Sequence, residues 1–214
     1  MLIGVHKRFV FVANTKTAST SIEHVLMEHS ECLALGNPRR KHMPLADVLK
    51  SYHFLFGQPN HKPETYFKFG VMRDPIEWIG SWFRYRRGNQ VESPLPEGIT
   101  FEEFWRKRDW NIVLGSGEPH LQRRMFVDAA DNVLADVIIP HHRLDEYFPK
   151  ICAALKIPYS LPYKNKSVIK QADPIPAALE AEMREFYAKD YALMARLDEI
   201  NATGMERLLS RQKG

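Results

Sequence analysis

The stretch from Arg8 to Leu26 constrains this chain more than any other. Phe9, Val10, Phe11 and Val12 are apolar, aromatic or β-branched without interruption, the pattern of a buried strand. Small and hydroxylated residues follow at once from Asn14 to Ser21. Ile22, Val25 and Leu26 then begin a helical period. A strand, a short loop and a helix in that order aim backbone N–H groups and the positive end of the helix dipole at one spot, which suits an anion. Lys16 adds a mobile cation, and the hydroxyls of Thr17, Ser19, Thr20 and Ser21 add donors. A Ser/Thr-rich turn that only caps a helix has the same composition. The loop is also not the common ATP-binding one, because G-x-x-x-x-G-K-S/T is absent and no glycine stands between Val5 and Gly36.

A second motif separates these readings. It is F-G-V-M-R-D-P-I-E-W-I-G-S-W, from Phe69 to Trp82. Tyr66 to Met72 reads as another buried strand. Arg73-Asp74-Pro75 ends it, and Pro75 is placed to open a helix. Arg73 stands at the strand end and Ser81 two turns into the helix, so both can reach one phosphate lying across the sheet edge.

Together the two motifs resemble the nucleotide site of sulfotransferases that use 3′-phosphoadenosine-5′-phosphosulfate (PAPS), in the branch acting on carbohydrate hydroxyls. Two positions depart from the family pattern: Trp78 replaces a basic residue, and Thr15 replaces the proline before the lysine. The resemblance implies one α/β domain over residues 1–214, with a P-loop NTPase-like, mostly parallel central sheet flanked by helices. It implies that Lys16 stabilises the leaving oxygen, while Lys16, Thr17, Ala18, Ser19, Thr20 and Ser21 hold the 5′-phosphate. Arg73 and Ser81 would hold the 3′-phosphate. Asn165 and Lys166, in P-Y-K-N-K-S, resemble the segment that closes over the nucleotide. The donor is PAPS, the product 3′,5′-adenosine bisphosphate, and no metal is required. The acceptor is a hydroxyl, a glycan or small molecule by analogy alone. The base must accept a proton near neutral pH, which favours histidine. His42 is the first choice, since the family often has a histidine between the first helix and the R-D-P strand, and His120 is the second. His142 stands where the family has an acid.

The remaining chain alternates strands and helices, consistent with a parallel sheet covered on both faces. Cys32 to Leu35 reads as a short strand. Leu45, Val48, Leu49 and Tyr52 mark a helix, and Thr100 with Glu103 forms a capping box. His120 to Phe126 reads as helix, Val133 to Ile139 as strand and Leu144 to Leu155 as helix. Pro176 to about Leu197 is the longest helical pattern, and Gly204 interrupts before a final short helix. A net charge of +4 suits an anionic ligand but is too small to imply nucleic acid. Two cysteines in no metal-like spacing, with no signal peptide or membrane span, fit a soluble cytoplasmic protein. Two other classes compete: a P-loop-like nucleotide kinase, and a non-catalytic polyanion-binding module using the basic clusters. Against the kinase stands the lack of an aspartate after Val137 to Ile139 to hold magnesium.

Overall fold

Side chains alternating between two buried faces along Phe9–Val12 build the centre of the sheet. Phe9 and Phe11 point to one face and Val10 and Val12 to the other, and all four are fully buried. The computed structural model describes residues 1–88, 94–108, 121–159 and 175–211. In chain order these form β1 (Leu2–Gly4), β2 (Phe9–Val12), α1 (Ser19–Leu26), β3 (Cys32–Leu33), α2 (Pro38–Lys41), α3 (Leu45–Ser51), α4 (His53–Phe56), β4 (Phe67–Met72), α5 (Pro75–Gly88), α6 (Phe101–Lys107), β5 (Val137–Pro140), α7 (Leu144–Ala154), α8 (Ala177–Phe186), α9 (Ala188–Met194) and α10 (Leu197–Ser210).

The sheet has five strands in the order β3-β1-β2-β4-β5. β2 pairs parallel with β4, and β4 parallel with β5. β1 pairs antiparallel with both β2 and β3. The sheet is therefore mixed, which corrects the expectation of a mostly parallel one. The reason is local: β1 and β2 are joined by only four residues, enough for a hairpin but not for the crossover a parallel pair needs. Arg8, with φ of 59°, turns that hairpin.

Two cores cover the sheet. On one face α1, α7 and α10 bring Ile22, Leu26, Phe148, Ile151 and Leu208 onto Phe11, Phe69, Val71 and Ile139. On the other, Leu45, Val48, Phe56, Phe126, Leu193 and Leu197 cover Val10, Val12 and Ile138. A third cluster joins α5, α6 and α8 through Trp78, Trp105, Met183 and Tyr187. The capping box at Thr100 and Glu103 is present.

Four boundaries differ from expectation. Residues before Val137 are not in β5, because Val133 pairs instead with Val127. His120 lies outside the described residues, and the helical stretch expected from it is a short 3-10 turn, Gln122–Met125. The long C-terminal pattern breaks into α8 and α9 at Tyr187, which is fully buried. Gly204 does not interrupt but sits inside α10, where a Cβ would lie 1.8 Å from the carbonyl oxygen of Asp136. The glycine lets α10 press onto the sheet. Among the described residues no helix is long and apolar enough to cross a membrane.

Candidate functional site

Because β2, β4 and β5 are parallel, their C-terminal ends share one edge of the sheet. The chain leaves that edge through the loop after Val12, through Arg73 and through His141. Ligands in open α/β sheets bind at this kind of edge.

The loop is wound tightly. Lys16 and Ala18 have φ of 57° and 60°, the left-handed region that non-glycine residues enter at a cost of roughly 1 kcal/mol each. The Thr17 hydroxyl donates to the Asn14 carbonyl at 3.0 Å. The amides of Ser21 and Ile22 turn back to the Ala18 carbonyl at 3.0 and 3.3 Å. The first N–H groups of α1, from Ser19 and Thr20, have no intrahelical acceptor, as at every helix start. Thr17 and Ser19 are buried, Ala18 and Ser21 half-buried, and Thr20 exposed. Thr17 thus closes the loop with its side chain. Trp78 holds the loop from outside: its indole N–H donates to the Thr15 carbonyl at 2.8 Å, and the ring is 2% exposed. The departure from a basic residue at 78 therefore has a structural use here.

The R-D-P motif divides its work by residue. Asp74 caps α5, accepting from the amides of Ile76 and Glu77 at 2.9 and 3.1 Å, and Pro75 starts the helix. Arg73 is left at the sheet edge, with Glu77 at 3.3 Å. Arg73 lies close enough to Lys16 and to Arg84 for their charges to interact. Burial, then the guanidinium groups of Arg73 and Arg84, bring the Lys16 ammonium down to about 8. Burial, then Arg73, also lowers Arg84. The Lys16 Nζ sits 3.7 Å from the centre of the Tyr85 ring and 5.5 Å from that of Trp82, so these two α5 aromatics line the site. The charges of Lys16, Arg73 and Arg84 repel one another, and Glu77 pairs with Arg73 from an exposed position. Ser81 is half-buried on the same helix, between Glu77 and Tyr85.

His42 caps the C-terminus of α2, and its Nδ1 lies 2.6 Å from the carbonyl oxygen of Ala13, at the root of the loop. A carbonyl only accepts, so Nδ1 carries the proton and Nε2 has the lone pair. Burial is the main cause that keeps His42 below its ordinary value, with a smaller push from Lys41. That makes burial, more than the neighbouring basic run, the reason the ring is neutral. His141 is a second histidine at this edge. Burial, then Arg73, lowers it to about 4. His142 is exposed.

Comparison with protein-family models, with characterised proteins and with solved structures finds no match to this chain.

Of the residues expected in the site, the fold gathers Lys16, the loop through Ser21, and Arg73 at one edge, with Ser81 on the helix that follows and His42 at the base of the loop. Asn165 and Lys166, like His120, lie outside the described residues. Arg84 was legible only as part of the basic run from Arg84 to Arg87, which suits either an anionic ligand or a solvated surface. His141 and His142 follow a strand in the sequence, which brings both near the cleft, and His141 is the half-buried one of the two.

Proposed function

We propose that the chain is a PAPS-dependent sulfotransferase that moves a sulfuryl group to a hydroxyl acceptor of carbohydrate type. The observation that carries this reading is the gathering of Lys16, Arg73 and Arg84 beside the start of α1, with Lys16 desolvated and its charge opposed by the two arginines. Such a site favours a ligand bearing more than one negative charge. The strand–loop–helix from β2 to α1 and the three parallel strands support a P-loop-like arrangement around it.

In this reading the backbone amides of Ser19 and Thr20, with the hydroxyls of Thr20 and Ser21, hold the 5′-phosphate. Arg73, Arg84 and Ser81 hold the 3′-phosphate, as fixed charges suited to bidentate recognition. His42 takes the acceptor's proton on Nε2 as its oxygen bonds to sulfur. The bond from sulfur to the phosphate oxygen breaks, and Lys16 meets the charge that grows there. Positioning and electrostatics supply the catalysis.

Isothermal titration tests the reading. Binding of 3′,5′-adenosine bisphosphate without magnesium, tighter than binding of AMP or ADP, is the expected result. A preference for ATP with magnesium would favour a kinase instead, and binding of polyanions alone would leave a non-catalytic module.

A further inference from the structure

Gln122 is completely buried, and its amide sits where the sheet runs out. The β2–β4 ladder stops at Val12 with Gly70, and the β4–β5 ladder at Met72 with Pro140. Arg73 comes next, and Pro140 has no N–H to offer it. The side chain of Gln122 takes the place of a strand there. Its Oε1 accepts the Arg73 N–H at 3.1 Å, and its Nε2 donates to the Arg73 carbonyl at 2.8 Å. The same Oε1 accepts from the Asn14 side-chain amide at 3.0 Å, which also donates to the Val71 carbonyl at 3.2 Å. Both acceptor positions of the Gln122 carbonyl are thereby used. Behind it, the buried Asp190 of α9 accepts from the backbone amides of Gln122 and Arg123 at 3.1 and 2.8 Å, which fixes the turn.

One side chain thus ties the start of the Lys16 loop to the residue carrying the second cation. We infer that Gln122 is the positioning residue of the anion site, setting the spacing between the loop and Arg73 so that both reach one ligand. This rests on the reading of the site given above. A buried amide with three partners has little freedom, and removing it leaves the part-buried Arg73 N–H and carbonyl without those partners. A small shift of the Arg73 backbone is carried to the guanidinium at the far end of its side chain. A misplacement of about 1 Å costs on the order of a hundredfold where two groups must act together.

The test uses the whole chain with Gln122→Met, which keeps the volume and removes all three bonds, and with Gln122→Glu. Affinity for 3′,5′-adenosine bisphosphate should fall about ten- to a hundredfold in Gln122→Met. Arg73→Ala should then cost much less in the Gln122→Met background than alone, because Gln122 acts through Arg73. Independent, additive losses would overturn the inference. In Gln122→Glu the protonated carboxyl offers the same acceptor and donor as the amide. The ratio of its affinity to that of the unaltered protein should therefore recover as pH falls from about 8 to about 5. Asp190, Arg123, Arg73 and Asp74 are near the site in both proteins, so the ratio compares like with like. No recovery counts against the inference.

A third measurement needs no ligand. Exchange of the Arg73 amide hydrogen should be at least about tenfold faster in Gln122→Met. If the unaltered protein binds no bisphosphate, the sulfotransferase reading fails, and this exchange rate alone decides the role of Gln122: an unchanged rate sinks it. If Gln122→Met does not fold, Gln122→Glu compared at low and high pH carries the same exchange measurement.

Discussion

Replacing Lys16 by methionine should cost activity without costing stability. The ammonium is brought from its ordinary 10.5 down to about 8 by burial and by the charges of Arg73 and Arg84. In full, that lowering corresponds to about 3 kcal/mol against the charged form. Lys16 is only half-buried, and solvent screening leaves roughly a third to a half of it. Opposing this is the contact with the Tyr85 and Trp82 rings, at 3.7 and 5.5 Å, worth about 0.5–1 kcal/mol at a partly exposed site. Methionine keeps the apolar stem and removes the charge. The balance runs from about zero to about 1 kcal/mol in favour of the variant, a rise of at most roughly 2–4 °C in Tm for a chain of this length. The sign with pH follows from the lowered value. The folded protein disfavours the protonated lysine, so the variant's advantage is complete below about pH 8 and is lost between there and 10.5. Turnover should fall by about 10²-fold or more, since in the proposed reaction the removed charge meets the leaving oxygen. Thermal melts of the ligand-free proteins at pH 7 and pH 10, with single-turnover assays, check both halves. A variant that melts well below the parent at pH 7 yet turns over normally would refute the reasoning.

Three further outcomes are expected. Arg73→Ala should weaken 3′-phosphorylated nucleotides about ten- to a hundredfold and their analogues lacking that phosphate far less, as read by titration calorimetry; equal losses would make Arg73 structural. His42→Ala should cut kcat by about 10²- to 10⁴-fold with bisphosphate affinity nearly unchanged. Because burial holds His42 below 6.5, the acidic limb of the parent's pH–rate profile should lie below that value and vanish in the variant. Retained activity in His42→Ala but not in His141→Ala would move the role to His141. Gly204→Ala should destabilise the fold by about 3 kcal/mol in denaturant titration, because its Cβ would meet the Asp136 carbonyl at 1.8 Å; an unchanged midpoint would mean that α10 can lift away.

Short-range features were legible from residue order. β2 and α1 are set by an apolar run and a helical period, with a short link of small and polar residues and one lysine, Lys16, between them. The turn at Arg73-Asp74-Pro75 is set by an aspartate that caps and a proline that opens a helix. The capping box at Thr100 spans four residues and needs no other part of the chain. β1 was not legible, because three residues carry no measurable alternation.

What the sequence alone determined, then, is each piece whose physics closes within a turn or two of chain: the loop between β2 and α1, the arginine at a strand end, the helix starts. Tertiary structure decided the rest, because the partners are far apart in sequence. Asn14 meets Gln122 across 108 residues, and Gln122 meets Arg73 across 49. Arg84 and His141 count as site residues only because two parallel strands end, and α5 begins, at the same edge. Gly204, a breaker by local rule, stays helical because close packing on β5 requires a residue with no side chain at that point. The direction of β1 was fixed by the shortness of its link to β2, and through it the sheet became mixed.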